Sequence, residues 1–153
     1  ETTGLMLKRI LNTDMQGVSV LDMGTGTGIL AILAAMRGAS KVIGVEIDPP
    51  AYDNAIDNVK LNNHSEIEIR LGGAETVSEK EAFDFVFANI NRNIILGDID
   101  KYAAALKSGG SMFLSGFYLE DVDMLVEAAN KYGLKKVSVI DQKNWANIHL
   151  IKE

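Results

Sequence analysis

The chain has 153 residues, enough for one domain and too few for a second hydrophobic core. Apolar residues make up 47% and charged residues 24%, a balance that excludes a disordered or fibrous protein. The net charge of −6 argues against a general nucleic-acid binder, and the absence of cysteine excludes disulfides, zinc–thiolate sites and thiol nucleophiles.

No segment of the sequence is typical of a targeting signal or a membrane span. The longest apolar run, at 29–36, has eight residues, whereas a membrane-spanning helix needs roughly 20. The N-terminal residues lack the basic, apolar and small-residue regions of a signal peptide. The two histidines, His64 and His149, lie in different regions and cannot alone form a metal site. We therefore predict a cytoplasmic protein that needs neither a metal nor a membrane and binds no nucleic acid strongly.

Strand-like and helix-like segments alternate along the chain. Runs rich in β-branched and aromatic residues predict strands at 18–23, 41–47, 66–71, 83–88, 111–115, 136–140 and 145–151. Helix formers and apolar residues at spacings of three and four predict helices at 29–37, 49–62, 93–107 and 120–132. This alternation implies right-handed crossovers. The predicted fold is a doubly wound, mostly parallel seven-stranded α/β sheet with an antiparallel last strand, forming a single domain over residues 1–153.

A glycine-rich loop joins the first predicted strand to the first predicted helix. Its glycines are Gly24, Gly26 and Gly28, so the spacing is G-x-G-x-G and not the G-x-G-x-x-G of dinucleotide-binding loops. No Gly-Lys-Ser/Thr motif follows. With Asp22 before it and Thr25 inside it, the loop resembles the nucleoside-binding loop of class I S-adenosylmethionine-dependent methyltransferases. The alternative is a tight strand-to-helix turn that binds nothing.

An acidic residue follows the loop at the distance expected for a ribose ligand. Glu46 ends the second predicted strand, 22 residues after Gly24, and a carboxylate can accept hydrogen bonds from both ribose hydroxyls. We predict that Glu46 and the adjacent Ile47 contact the cofactor. Asp48 is the competing acid, but its place before two prolines favours a helix N-cap.

Two further segments follow predicted strands and are candidates for the same site. Gly73 and Ala74 come after the third strand, where we predict contact with an adenine ring, whereas Glu75 is equally well explained as a solvated acid at a helix start. Asn89, Asn91 and Asn93 follow the fourth strand, at the edge where open α/β sheets bind ligands. Asn93 suits a helix cap. The Asn89 amide oxygen could accept a hydrogen bond from a substrate amine and orient its lone pair, so we predict a catalytic role for Asn89.

Several segments in order resemble the catalytic domain of the ribosomal protein L11 methyltransferase family. They are ETTGLMLKRIL, VLDMGTGTGILAI, GVEIDPPAYDNAIDNVKLNN, FDFVFANINRNII, LKSGGSMFLSGF and NWANIHL. The resemblance spans nearly the whole chain. We expect the family's N-terminal substrate-recognition domain to be absent here. Among the departures from the family pattern, Asn-Ile-Asn-Arg-Asn replaces the usual Asn-Ile-Leu-Ala-Asn.

The resemblance implies a function and a set of roles. The chain is expected to transfer methyl groups from S-adenosylmethionine to amino groups of a large-subunit ribosomal protein. Thr2 and Thr3 are expected to close the cofactor site, and Asn89 is expected to contact the cofactor as well as face the accepting nitrogen. Asn91 and Trp145 are expected to bind the substrate.

Three other functions remain open from the sequence. A methyltransferase acting on a side-chain amide or a nucleobase would carry an Asn/Asp-Pro-Pro-aromatic loop, but here Asn89 is followed by Ile-Asn-Arg. A non-catalytic module would bind an adenosine nucleotide without transferring a methyl group. A nicotinamide oxidoreductase would bind NAD in preference to S-adenosylmethionine.

Overall fold

The computed structural model describes residues 1–153 and contains one seven-stranded sheet flanked by five helices. The helices are α1 (Thr2–Leu11), α2 (Ile29–Met36), α3 (Pro49–Leu61), α4 (Arg92–Ala105) and α5 (Val122–Asn130). The strands are β1 (Ser19–Met23), β2 (Lys41–Glu46), β3 (Glu68–Leu71), β4 (Phe83–Asn89), β5 (Leu106–Tyr118), β6 (Leu134–Gln142) and β7 (Trp145–Lys152). Short 3₁₀ turns occupy Ala74–Thr76 and Leu119–Asp121.

The strand order is β3-β2-β1-β4-β5-β7-β6. Neighbours from β3 to β5 pair in parallel, and β7 runs antiparallel to both β5 and β6. The β6–β7 hairpin turns at Lys143 and Asn144, whose φ values of 48° and 70° suit a tight two-residue turn. The predicted fold class is confirmed. From β1 the strands are added first on one side, as β2 and β3, and then on the other side, as β4 and β5. Such a switch point between β1 and β4 is expected to leave a crevice at the carboxyl ends of these two parallel strands.

The sheet is buried on both faces. On one face α4 and α5 cover a cluster that includes Leu21, Val86 and Met112. On the other, α1, α2 and α3 cover a cluster in which Phe87 and Phe113 stack with ring centroids 5.6 Å apart. Burial of both faces explains why the central strands are continuous apolar runs, as is usual in parallel sheets.

The N-terminal segment forms a helix that the periodicity analysis did not predict. Helix α1 is held against the sheet by Arg9, which donates to Asn147 Oδ1 at 2.7 Å and to Ser138 Oγ at 2.8 Å. Met6 and Ile10, on the face of α1 that packs against the sheet, are completely buried. This packing brings the start of α1 to the carboxyl end of β4.

Some element boundaries differ from the prediction. Helix α4 begins at Arg92, and its N-cap is Asn91, whose Oδ1 accepts from the Ile94 N–H at 3.0 Å; the assignment of the cap to Asn93 was wrong. Strand β5 is longer than predicted, at Leu106–Tyr118. The Asp48 cap of α3 is confirmed by a 3.2 Å bond from the Ala51 N–H. No helix is both long and apolar enough to span a bilayer.

Candidate functional site

The glycine loop leaves β1 in a left-handed backbone conformation at each of its three glycines. A Cβ atom on Gly24 would come within 2.3 Å of Ile90 Cγ2, so Gly24 allows the loop to pack against the chain beyond β4. At Gly26, with a φ of 59°, an added Cβ would meet no atom within 4 Å. The loop thus exposes backbone to open space at Gly26, which suits close approach of a ligand.

Glu46 and Asp48 have separate hydrogen-bond partners. The Glu46 carboxylate accepts from the Gly26 N–H at 2.8 Å and from the Asp48 N–H at 2.9 Å. The Asp48 carboxylate is used as the cap of α3. Each Glu46 oxygen therefore has lone-pair capacity left for a further donor, such as a ribose hydroxyl.

A cavity of about 360 Å³ adjoins the glycine loop, β2 and α4. Its volume is within the range of small-molecule sites. Five of the predicted cofactor residues line it: Gly24, Glu46, Ile47, Gly73 and Ala74. The remaining lining residues are Met23, Val45, Gly72, Glu75, Ile90, Ile94, Asp98 and Tyr102.

Two residues predicted to bind the cofactor point instead into the protein. Asp22 is fully buried, and Thr25 Oγ1 donates to its Oδ2 at 2.6 Å. Burial raises the pKa of Asp22 to about 7, although the Thr25 hydrogen bond opposes the shift. Neither residue lines the 360 Å³ cavity. Their observed contacts support the conformation of the loop.

Gly26, Gly28, Thr3 and Asn89 also lie outside the lining of this cavity. Gly28 precedes α2 with a φ of 86°, and a Cβ there would make only an ordinary contact with Ala55 at 3.6 Å, so its backbone conformation is what favours glycine. Asn89 Nδ2 donates to Thr3 Oγ1 at 3.2 Å, so the fold brings these two predicted residues together. Asn89 Oδ1 is buried and has no hydrogen-bond partner.

The chain after Asn89 is held between two glycines. Gly24 contacts Ile90 from the glycine loop, and Gly116 contacts it from β5. A Cβ on Gly116 would lie 2.2 Å from the Ile90 carbonyl oxygen, and the Ile90 N–H donates to the Ser115 carbonyl at 3.1 Å. This clamp fixes the backbone that follows Asn89, whose side chain lines neither the 360 Å³ cavity nor the 580 Å³ cavity beside it.

A second cavity, of about 580 Å³, lies beside the first, and Ile94 lines both. Tyr118 and Trp145 stack at its edge with ring centroids 4.3 Å apart. The predicted substrate residues Asn91 and Trp145 both line this cavity. Asn91 Oδ1 caps α4, so Nδ2 and the second lone pair of Oδ1 are left for a substrate. The other lining residues are Arg92, Asn93, Gly116, Phe117, Glu120 and Asp121.

Sequence reasoning missed the contribution of α4 to the smaller cavity. Ile94, Asp98 and Tyr102 recur at intervals of four, so they lie along one face of the helix. The signal in the sequence that could have indicated a site on α4 was Asp98, an acidic residue on this otherwise apolar face. Only the packing of α4 shows that the face borders a cavity.

The strand order, the antiparallel β7, the glycine loop and the acid at the end of β2 define a class I S-adenosylmethionine-dependent methyltransferase fold. The family model described as ribosomal protein L11 methyltransferase (PrmA) matches residues 1–153, and the chain belongs to this family. The resemblance predicted from the sequence and the methyltransferase class are therefore confirmed. S-adenosylmethionine is the cofactor of that class.

Individual relatives agree with the family. A ribosomal protein L11 methyltransferase of Phocaeicola vulgatus is 44% identical over 151 residues, covering 99% of this chain and 54% of the relative. One from Porphyromonas gingivalis is 45% identical and covers 95% of this chain and 50% of the relative. The chain thus spans about half the length of these relatives. The crystal structure of a ribosomal protein L11 methylase from Lactobacillus delbrueckii superposes with a TM-score of 0.92 at 27% identity, covering 99% of this chain and 79% of that one.

Proposed function

We propose that the chain binds S-adenosylmethionine in the 360 Å³ cavity and transfers its methyl group to amino groups of a ribosomal protein of the L11 type. The observation that carries this proposal is the position of Asn89. Its buried Oδ1 has no hydrogen-bond partner, and the residues that follow it, at 90–94, contribute to the lining of both the 360 Å³ cavity and the 580 Å³ cavity. The family name and the names of the relatives support the acceptor. The cytoplasm remains a predicted location.

The residues around the smaller cavity suit a nucleoside with a thioether-type side chain. Glu46 can accept from ribose hydroxyls, and the open space at Gly26 admits a ligand against the loop backbone. Ile47 and Ala74 supply apolar contacts for a planar base. Asp22, Thr25 and Gly28 act on the cofactor through the shape of the loop, and Thr3 acts through its hydrogen bond to Asn89.

When bound, S-adenosylmethionine supplies a methyl group already activated on a sulfonium, so the protein's main task is to position the acceptor. The Asn89 amide oxygen accepts an N–H of the neutral amine and directs the nitrogen lone pair. The proton that the amine must lose can pass to water. Tyr118 and Trp145 offer aromatic surface to the alkyl part of the acceptor side chain.

To test this proposal, the chain is incubated with methyl-labelled S-adenosylmethionine and with ribosomal proteins from cells that lack this methylation. The position of the label on the proteins is then determined. We expect label on amino groups of the L11 protein. Label confined to amides or nucleobases would overturn the amine assignment, and label only on other ribosomal proteins would overturn the L11 assignment. Binding of S-adenosylhomocysteine without any transfer would identify a non-catalytic module. Saturation by NAD in its place would identify an oxidoreductase.

The Asn89→Ala variant tests the catalytic role. Because positioning errors at a reacting centre cost about 10²-fold in rate, we expect kcat to fall about a hundredfold while the Kd for S-adenosylhomocysteine changes less than about threefold. Asn54→Ala removes an exposed asparagine from α3 and is the matched control. Equal losses in kcat and in cofactor affinity would contradict an acceptor-facing Asn89.

A further inference from the structure

We propose that a cavity of about 310 Å³, between the C-terminal end of α1 and the strands β5, β6 and β7, binds the phosphate group of a small ligand. The start of α1 contacts Asn89, and this cavity lies towards the other end of the helix. It shares no lining residue with the 360 Å³ cavity or the 580 Å³ cavity. Its volume is at the lower end of the range of small-molecule sites.

The charge of the 310 Å³ cavity favours an anion. Its only charged lining residues are Lys8 and Arg9, both basic, although the chain as a whole has a net charge of −6. Neither Lys8 nor Arg9 is paired with a carboxylate. Two adjacent cations without an acidic partner give the cavity a positive potential that attracts anions.

The Arg9 guanidinium is partly buried without a counterion. Its four hydrogen bonds go to side-chain and carbonyl oxygens of Ser138 and Asn147, at 2.7 to 3.4 Å, and all of these acceptors are neutral. The bonds hold the guanidinium in place and leave one N–H of Nη1 without a partner. Burial lowers the pKa of Arg9, because neutral acceptors only partly replace water around the charge. A phosphate would supply the missing negative charge through charge-assisted hydrogen bonds.

Two further groups can donate to the same anion. The Lys8 ammonium is exposed and makes no hydrogen bond within the chain, so all its N–H groups are free. His149 Nε2 lies 2.9 Å from Ser111 Oγ, and when Nε2 accepts from that hydroxyl, Nδ1 carries the proton and is left as a donor. Burial lowers the pKa of His149, so its ring is neutral at pH 7.

The carbonyl groups at the end of α1 are already hydrogen-bonded, which reduces their repulsion of an anion. Asn12 donates to the Lys8 carbonyl through both its backbone N–H and its Nδ2. Thr13 Oγ1 donates to the Arg9 carbonyl at 2.6 Å. The negative end of the helix dipole is therefore partly compensated on the side that borders the cavity.

The cavity also has an apolar part. Next to the basic groups, it is lined by the partly buried side chain of Ile140 and by the ring of His149, which packs edge-on against Phe113. A free phosphate ion would leave these surfaces without a contact. A phosphate ester with a small apolar group can use both parts of the cavity, so we expect it to bind more tightly than the free ion.

The experiment is a calorimetric titration of the full chain with inorganic phosphate and with phenyl phosphate, at an ionic strength kept constant with sodium chloride. We expect saturable binding of both at one site, with phenyl phosphate at least about threefold tighter. Equal affinities would identify the free ion as the ligand of this site. The absence of saturable binding for both compounds would overturn the proposal.

The Lys8→Ala variant tests the location of the site. Because the Lys8 side chain is exposed and makes no hydrogen bond, its removal should leave the fold intact. We expect the Kd for phenyl phosphate to rise at least about fivefold, and Lys8→Glu should abolish binding. Lys131→Ala removes an exposed lysine after α5 and is the matched control, expected to bind as the wild type does. Binding by Lys8→Ala within twofold of the wild type would overturn the assignment.

A second titration separates this site from the proposed cofactor site. Saturation with S-adenosylhomocysteine should leave the affinity for phenyl phosphate unchanged, because the two cavities share no residue. Displacement of phenyl phosphate by S-adenosylhomocysteine would place the anion at the glycine loop and overturn the proposal. Phosphate binding by a chain that fails to bind S-adenosylhomocysteine would support this site and contradict the proposed function.

Discussion

At the end of β2, two carboxylates only two residues apart make different hydrogen bonds. Glu46 accepts from backbone N–H groups of the glycine loop and of Asp48, while Asp48 caps α3. Glu46 thus couples the conformation of the loop to the wall of the cavity. Asp48 faces the helix and stabilises it.

This separation predicts different effects for the two alanine variants. Glu46→Ala should weaken S-adenosylhomocysteine binding by about 1–3 kcal/mol, because a charged hydrogen-bond acceptor is lost. Asp48→Ala should leave that affinity unchanged and lower the free energy of unfolding by about 1 kcal/mol, because a helix cap is lost. Calorimetry and urea unfolding measure the two effects. A larger loss of affinity in Asp48→Ala would transfer the ribose role to Asp48.

Among the secondary-structure elements, one carboxylate connects α4 to the turn between β5 and α5. Asp121 Oδ1 accepts from Arg92 Nη1 at 2.7 Å, and its Oδ2 accepts from the Tyr118 N–H at 3.1 Å. Tyr118 in turn stacks on Trp145. The start of α4, next to the asparagine segment, is therefore joined to the stacked aromatic pair that lines the 580 Å³ cavity.

Loss of this connection should weaken binding of the protein acceptor and leave binding of the cofactor unchanged. We expect Asp121→Ala to raise the KM for the protein acceptor about tenfold and to change the Kd for S-adenosylhomocysteine less than twofold. Asp121→Asn keeps a hydrogen-bond acceptor for the Tyr118 N–H, so its KM for the acceptor should lie between those of the wild type and Asp121→Ala. Asp123→Ala, at an exposed position of α5, is the control. Parallel losses of acceptor and cofactor binding would show that Asp121 supports the whole fold.

For the whole molecule, Asp22 links stability to pH. Burial raises the pKa of its carboxyl from 3.8 to about 7 in the folded state, so the folded chain holds this proton more tightly than the unfolded chain. The resulting stabilisation is complete below pH 3.8 and is lost as the pH rises through about 7. Burial lowers the pKa of His149, which acts in the opposite direction.

The comparison with Asp22→Asn isolates this contribution, because His149 is common to both proteins. Between pH 4 and pH 8, the free energy of unfolding of the wild type should fall relative to that of the variant by up to about 4 kcal/mol. Urea unfolding of the ligand-free proteins at several pH values provides the measurement. Two curves that stay parallel would mean that Asp22 has the same pKa folded and unfolded.

The local sequence patterns predicted the seven strands and the helices from α2 to α5, because strand and helix periodicities arise within single segments. They also predicted the glycine loop and the Asp48 cap. Five of the residues that the sequence indicated as cofactor contacts line the smaller cavity. Residue type alone did not locate the cap of α4, because Asn91 and Asn93 are both suitable N-cap residues. The backbone conformation shows that Asn91 is the cap and that the prediction of Asn93 is wrong.

Long-range packing accounts for what the patterns missed. Helix α1 depends on Arg9 reaching β6 and β7, more than 120 residues away along the chain. The inward direction of Thr25 and the place of Tyr102 beside a cavity depend on how neighbouring elements pack. Periodicity shows which face of a segment is apolar. Which element covers that face, and whether a gap is left between them, follows only from contacts between residues distant in the chain.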